Sequence, residues 1–446
     1  MRKVLIANRG EIARRIIRTC RAQGIATVAV YSEADKDLPF VREADEAVHI
    51  GPPPVPQSYL NMDAILAAAK TTGADAIHPG YGLLSENATF ASRCLEAGIT
   101  FIGPSPDVIA QMGDKVTARQ IMRDAGVPVV PGFEGQMETA DEAVQHANAM
   151  GYPVMLKASA GGGGIGMQVC HNENELRQAF QSAKGRAKAY FGNDTMFLEK
   201  YVQNPHHIEV QIVADQHGHV LHLLERECSI QRRHQKVLEE SPSPFLDDDT
   251  RTRICEAAVA AARAVQYTGV GTVEFIMDDQ KNFYFLEMNT RLQVEHPVTE
   301  EMTGLDLVAL QLDIARGQQL TLQQTDVKAL RHAIELRVYA EDPVTFLPSP
   351  GKIDQYQPPA MEHVRIDDGV EAGAQVTPFY DPMIAKVIVS GASRAEAIER
   401  SIKALQSFTL TGIKHNIPFL LEVLQDERFQ QGMYTTQFVQ DRKKQS

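Results

Sequence analysis

The sequence predicts a protein of mixed α/β and α+β class that opens with a doubly wound parallel sheet. Three observations predict it. At 446 residues the chain is too long for one hydrophobic core and should form about two to four domains. Residues 3–102 alternate short apolar runs with amphipathic stretches, the pattern of parallel strands joined by covering helices. The remainder, to about residue 440, mixes strand-like and helical runs, with no internal repeat or low-complexity tract.

In the first region strands are expected over 4–7, 26–31, 74–77 and 100–102, with helices over 12–23, 62–71 and 87–97. The first strand-to-helix turn, Asn8-Arg9-Gly10-Glu11, lacks the Gly-x-Gly-x-x-Gly fingerprint, so dinucleotide binding is not inferred. The loop His78-Pro79-Gly80-Tyr81-Gly82 follows a strand, where open α/β sheets place ligands; a plain turn capped by Ser85 is the other reading. Gly103-Pro104-Ser105-Pro106 then punctuates the chain before a helical pair, and Gly126 to Pro131 opens the next segment. There, strands over 154–158 and 167–170 flank a run of glycines, Gly161 to Gly164. Consecutive glycines expose unhindered backbone N–H groups that can wrap phosphate oxygens, and Lys157 and Lys115 add positive charge. Further on, strands are expected over 207–213, 220–224, 271–277, 283–289, 333–340 and 383–389, and helices over 250–266, 304–315 and 394–407.

Composition bounds the function. With 43% hydrophobic and 23% charged residues the chain reads as an ordinary globular protein. The N-terminus turns polar too soon for a signal peptide and no apolar run approaches a membrane span, so no membrane role is expected and the expected location is cytoplasmic. Cys20, Cys94, Cys170, Cys228 and Cys255 are far apart, which points to reduced core residues, not to zinc or a disulfide framework. A net charge of −13 argues against nucleic acid as a partner. The local cluster Arg232, Arg233 and Lys236 then suits small anions.

Residues 287–295 carry the most chemistry. Polar and apolar residues alternate, so an extended chain would put Glu287, Asn289, Arg291, Gln293 and Glu295 on one side. At ~3.3 Å per residue the row spans at most about 26 Å, enough to reach from a metal to a second reactant. A solvated strand face would show the same alternation. If 271–277 and 283–289 form a hairpin with 279–282 as its turn, Asp278 pairs with Phe283 and Glu274 lies opposite Glu287. Two adjacent carboxylates call for a cation between them. With the Asn289 carbonyl they make an oxygen site suited to Mg²⁺ or Mn²⁺.

Several motifs together resemble a known family. They are Gly80-Tyr81-Gly82, Met112-Gly113-Asp114-Lys115, Lys157-Ala158-Ser159 with the glycine loop, Glu199-Lys200-Tyr201, Gln231 to Lys236, Glu287 to Pro297, and Ala340-Glu341-Asp342-Pro343. In this order, over essentially the whole chain, they resemble biotin carboxylase of the ATP-grasp superfamily. The resemblance implies a Rossmann-like N-terminal domain (1–102), a helical linker (103–130), a mobile ATP-grasp lid (131–202) and a mixed-sheet C-terminal domain (203–446). It implies ATP phosphate contacts from Lys115, Lys157, Gly162, Gly163 and Gly164, adenine held by the backbone of Glu199, Lys200 and Val202, and a nucleotide pocket lined by His207, Gln231 and His234. Two Mg²⁺ or Mn²⁺ ions would be ligated by Glu274, Glu287 and Asn289. Lys236, Arg291, Gln293 and Val294 would bind bicarbonate, Glu295 would be its base, and Arg337 would face the ureido oxygen of biotin beside Tyr81.

The implied reaction is ATP- and bicarbonate-dependent carboxylation of biotin through carboxyphosphate. No Ala-Met-Lys-Met motif is present, so the resemblance implies biotin on a separate biotin carboxyl carrier protein, with separate carboxyltransferase subunits and a homodimeric carboxylase. Acetyl-CoA carboxylase, and with it fatty acid synthesis, is the commonest such assembly; propionyl-CoA, pyruvate and urea systems are alternatives, as is a non-catalytic nucleotide-binding homologue. Retention of Lys236, Glu295 and Arg337 speaks against the last. Two departures stand out: Ala160 and Ile165 flank four glycines where the family has five glycines and Arg, and Leu83 replaces a common aromatic.

Overall fold

A computed structural model describes residues 1–133, 137–158, 167–191 and 196–445. The chain forms two compact units, one of Met1–Val127, His206–Phe275 and Glu287–Ser446, the other of Pro128–Pro205 and Ile276–Leu286.

In the first unit, β1 (Lys3–Ile6), β2 (Ala26–Ser32), β3 (Glu46–Gly51), β4 (Ala76–His78) and β5 (Thr100–Phe101) form a parallel sheet in the order β3-β2-β1-β4-β5. Strand order reverses between β1 and β4, where such sheets open a ligand crevice. The loops leaving these two strands are tied together there, because the Asn8 amide donates to Pro79 O and Tyr81 O, each at 2.8 Å. Gly80 is required at this crossing: φ is 63°, and a Cβ would lie 2.8 Å from Asn8 Nδ2. Strand β3 was not expected from the sequence. Of its residues only Ile50 is buried, so no apolar run marks it.

The second unit holds β6 (Gly132–Phe133), β7 (Val154–Ala158), β8 (Met167–Cys170) and β9 (Met196–Lys200) in the antiparallel order β6-β9-β7-β8. The helices Ala140–Met150 and Glu173–Phe191 pack on it through Ala143, Ala147, Leu176 and Phe180 against Leu156 and Leu198. The expected phosphate glycines Gly162, Gly163 and Gly164, and Ile165, lie outside the described residues.

The largest sheet comprises β10 (His206–Ala214), β11 (Val220–Arg232), β12 (Gln235–Ser241), β13 (Gly269–Met277), β14 (Phe283–Asn289) and β15 (His332–Tyr339) with the strands Val364–Asp368 and Met383–Gly391. Its order is β14-β13-β10-β11-β12-β15, then Met383–Gly391 and Val364–Asp368. One face of β12, β15 and Met383–Gly391 buries Leu238, Leu336, Val338 and Val387 in an apolar core. By the two-residue alternation of strands the other face receives Glu239, Glu335, Arg337 and Lys386.

Two expectations need correction. The β13–β14 turn is one residue tighter than expected, since Asp278 N–H bonds to Asn282 O at 2.9 Å and Lys281 takes a φ of 63°. The Asp278 carboxylate causes this by accepting from the N–H groups of Gln280 and Asn282 at 3.0 and 2.8 Å. Secondly, the extended row stops at Asn289. Residues 290–295 are irregular, and Glu295 is the N-cap of the helix His296–Thr303, whose first turn contains Pro297. Proline favours that place, where its missing N–H has no helical partner to lose.

Among the described residues no helix is long and apolar enough to cross a membrane. All five cysteines are free and buried.

Candidate active site

A cleft of about 500 Å³ opens in the first unit where the β1 and β4 loops face the ends of β12 and β15. Its wall includes Gly10, Glu11, Tyr81, Leu83, Arg291, Val294 and Arg337. Strand alternation aims Arg337 off β15 toward Glu295, and Arg337 Nη2 donates to Glu295 Oε2 at 2.9 Å. The Asn416 amide holds the Arg337 backbone from the other side, donating to its carbonyl at 2.9 Å.

Through Glu295, Arg337 connects to a charge cluster organised on Lys236. Its ammonium donates to Glu295 Oε1 at 2.6 Å and Glu274 Oε1 at 3.1 Å, and also pairs with Glu209. Burial would raise the Glu295 carboxyl, but Lys236, Arg337 and Arg226 outweigh it and hold the group well below the usual carboxylate range. Glu274 is lowered in the same way: burial opposes, and Lys236 and His207 prevail. The oxygens of Glu209, Glu274 and Glu295 thus converge on an ammonium.

The remaining polar atoms are locked by one another. Glu274 accepts from Asn289 Nδ2 at 2.7 Å and Gln293 Nε2 at 2.6 Å. Gln293 Oε1 accepts from Arg226 Nη2 at 2.6 Å. Arg226 is fully buried; it also donates to Gln211 Oε1 at 2.6 Å and Thr299 Oγ1 at 2.8 Å, and pairs with Glu209. Arg291 lies farther out, donating to Glu86 Oε2 at 2.8 Å and Asn289 Oδ1 at 2.9 Å. The Val294 carbonyl accepts from Lys386 Nζ at 2.8 Å, and the Tyr81 hydroxyl donates to Glu11.

The metal expectation is tested by charge. Partial desolvation, then the charge of Glu274, pushes the Glu287 carboxyl up, with Lys115 acting the other way. Glu274 and Glu287, with the Asn289 side-chain oxygen, offer a hard-oxygen donor set that suits Mg²⁺. His207 fits as its neighbour. The Gln231 amide, anchored on Cys228 O at 2.9 Å, donates to His207 Nδ1 at 3.0 Å. This leaves the ring N–H on Nε2, 2.6 Å from Glu274 Oε2.

Other expected nucleotide residues are spread over both units. Lys115 is exposed in the first turn of the helix Lys115–Asp124, whose N-cap Asp114 accepts from Thr117 N–H at 2.7 Å. His234 is exposed in the two-residue turn joining β11 to β12, where it and Arg233 take φ values of 66° and 50°. In the second unit Lys157 pairs with Glu199 across β7 and β9. Lys200 Nζ donates to Gly151 O at 2.8 Å and Tyr152 O at 3.1 Å, and Val202 is buried.

Glu209, Arg226, Glu86 and Glu239 were not singled out from the sequence. A signal was present for Arg226: a charge between Leu224 and Cys228 in a strand that reads as buried must find a buried partner.

Comparison with known proteins bears on the whole chain. Residues 1–109 match the family model "Biotin carboxylase, N-terminal domain", 114–323 match "Carbamoyl-phosphate synthase L chain, ATP binding domain", and 335–441 match "Biotin carboxylase C-terminal domain". The chain is 60% identical to a biotin carboxylase of Halalkalibacterium halodurans, over 98% of this chain and 97% of that one. It is 53% identical to a propionyl-CoA carboxylase alpha chain of Ruegeria pomeroyi, over 98% of this chain and 67% of that one. Among solved structures, the biotin carboxylase domain dimer of 2-oxoglutarate carboxylase from Hydrogenobacter thermophilus, in complex with MgADP, ADP and bicarbonate, superposes with a TM-score of 0.88 at 46% identity, covering 99% and 98% of the two chains.

Proposed function

Since the chain belongs to the biotin carboxylase family of ATP-dependent ligases, we propose that Glu295, Lys236, Arg291 and Arg337 carry its chemistry, with biotin presented on a carrier protein. One observation carries this reading: Glu295 bridges Lys236 and Arg337, and Arg337 lines a cleft together with Arg291, Val294 and Tyr81. Lys236, Arg291 and Gln293 bind bicarbonate, and Arg226 holds Gln293 in place. While Lys236 and Arg337 sit on Glu295 it is a weak base. Drawing the two cations toward substrate anions removes the interactions that depress it, and the carboxylate then accepts the bicarbonate proton.

Glu274, Glu287 and Asn289 would hold Mg²⁺ or Mn²⁺, which supplies charge compensation between bicarbonate and the transferred phosphoryl group. Lys115 and Lys157 add compensating charge, and His207 orients Glu274. Arg337, which stays protonated, is placed to stabilise the anionic ureido oxygen of biotin once its N1′ proton has left. We assign the chain to an acetyl-CoA carboxylase, acting as a homodimer with carrier and carboxyltransferase subunits. The chain is 60% identical to the H. halodurans biotin carboxylase and 53% identical to the propionyl-CoA carboxylase alpha chain, so the identity of the partner transferase decides the acceptor.

The test is ATP hydrolysis with bicarbonate, free biotin and Mg²⁺, followed by capture of the biotinylated partner from the source cell. Bicarbonate-dependent hydrolysis with formation of carboxybiotin is expected. Hydrolysis indifferent to bicarbonate would overturn the catalytic assignment, and a partner transferase acting on another acceptor would overturn the acetyl-CoA one.

A further inference from the structure

Beside Arg337 lies a pair of acidic residues that the steps above do not use. Glu239 on β12 and Glu335 on β15 stand directly opposite each other in the antiparallel register. Both are fully buried, and residues so paired hold their Cβ atoms about 5 Å apart. Glu239 forms an ion pair with Arg337. Among the described residues, neither oxygen of Glu335 meets a hydrogen-bond donor, and Glu239 meets Arg337 alone.

The surrounding charges do not neutralise the pair. Lys386, opposite Arg337 on the strand Met383–Gly391, is engaged by Val294 O at 2.8 Å and Glu11 Oε2 at 3.1 Å. Lys236 on β12 is shared among Glu209, Glu274 and Glu295. From the helix His296–Thr303, His296 is held neutral by burial and then by the charge of Lys386, with its Nδ1 on Gln293 O at 2.7 Å. The Cys228 thiol of β11 is pushed up by burial and stays protonated. Arg337 therefore remains to face Glu239, Glu335 and Glu295 together, and like charges buried side by side cannot all ionise.

We propose that Glu239 and Glu335 hold one proton between them as an O–H···O⁻ bond, and that Glu239, its charged member, is a positioning residue that fixes the Nη2 end of Arg337. Burial pushes both carboxyls up, Glu239 to about 7, in keeping with a shared proton. Glu239 and Glu295 both meet Arg337 at Nη2, so the two carboxylates hold one end of the guanidinium between them. The role given to Arg337 rests on the function proposed above; the shared proton does not.

Two measurements on the full chain separate these parts. A carboxyl raised above its unfolded value stabilises the fold at low pH, and that stability is lost as pH rises through the folded value. Glu335→Gln carries a permanent donor, so its melting temperature relative to the unsubstituted protein should rise between pH 6 and pH 9 by about 2 °C or more. An equal loss at both pH values would mean that Glu335 is ionised and paired, and would overturn the shared proton. Glu239→Gln should lower free-biotin carboxylation about tenfold more than bicarbonate-dependent ATP hydrolysis, the scale of one charge-assisted hydrogen bond. Equal loss of both activities would remove the positioning role. If the unsubstituted protein shows no bicarbonate-dependent hydrolysis, the functional reading fails, while the melting experiment still decides the shared proton.

Discussion

Glu295 joins Lys236 and Arg337 through its two carboxylate oxygens, one accepting from Lys236 Nζ at 2.6 Å and the other from Arg337 Nη2 at 2.9 Å. One carboxylate thus links the group assigned to bicarbonate with the group assigned to biotin. Glu295→Gln preserves the shape but turns an amide N–H₂ toward one of two cations and removes the base. Bicarbonate-dependent ATP hydrolysis should fall about 10²-fold or more, with an unchanged far-ultraviolet circular dichroism spectrum. Retained hydrolysis would move the base elsewhere.

Removing charge at Glu287 tests the metal assignment. Glu287→Gln should weaken the apparent Mg²⁺ affinity at least about tenfold and abolish turnover at millimolar Mg²⁺. EDTA should do the same to the unsubstituted protein. A variant that titrates with Mg²⁺ as before would show that Glu287 is no ligand.

Arg337 should separate the two half-reactions. Arg337→Ala is expected to lose most carboxybiotin formation while retaining part of the bicarbonate-dependent hydrolysis, measured side by side. Arg337→Lys should rescue only in part, since an ammonium lacks the planar pair of donors that reaches Glu295 and the ureido oxygen together. Parallel loss of both activities would place Arg337 in the phosphate chemistry or in the fold.

Arg226 is a stability prediction. It is buried with partners on β10, β13 and the helix His296–Thr303 and touches no solvent. Arg226→Met leaves the Glu209 charge with Lys236 alone and should destabilise the protein by about 3–5 kcal/mol, read by denaturant unfolding of the full chain. A smaller loss would mean that Glu209 takes up a proton on losing its partner.

Glu240 predicts the acid limb of stability. Burial opposes its ionisation, but hydrogen bonds from His332 at 2.6 Å and from Arg394 at 2.7 and 2.9 Å win, lowering it to about 2. A lowered carboxyl adds stability above its unfolded value near 4.5, and that stability disappears as pH falls toward 2. Glu240→Gln should flatten the melting temperature between pH 5 and pH 2, while lowering it at pH 7. A parallel acid limb in the variant would assign the loss to other carboxylates.

How much was legible follows from what each signal depends on. The parallel sheet was readable because its central strands are buried on both sides, so β1 and β2 appear as unbroken apolar runs, whereas the edge strand β3 has no such run. Glu274 was read from the hairpin pairing, Glu295 from the alternating row, Lys236 from a basic cluster and Arg337 from motif resemblance, and the structure brings their side chains together. The extended row from Glu287 to Glu295 was misread past Asn289. Alternation survives in a sequence after the chain has left the strand, and Pro297 was the sign of the helix that begins there. Glu209, Arg226 and Glu239 were missed because their meaning lies in register: each is an unremarkable charge until another strand of the sheet supplies its partner.

The carboxylate cage around Lys236 has a bearing on which anions the site admits. If Lys236 binds bicarbonate as proposed, an incoming anion would displace one of these carboxylates from the ammonium and come to rest beside it. Chloride or nitrate, having no hydrogen to share, would meet bare oxygen repulsion from Glu295. Bicarbonate carries an O–H that can turn toward the same oxygen and convert the repulsion into a hydrogen bond. On the proposed reading the cage would act as a filter that admits an anion for the proton it brings, and the proton that grants entry would be the one the reaction must remove.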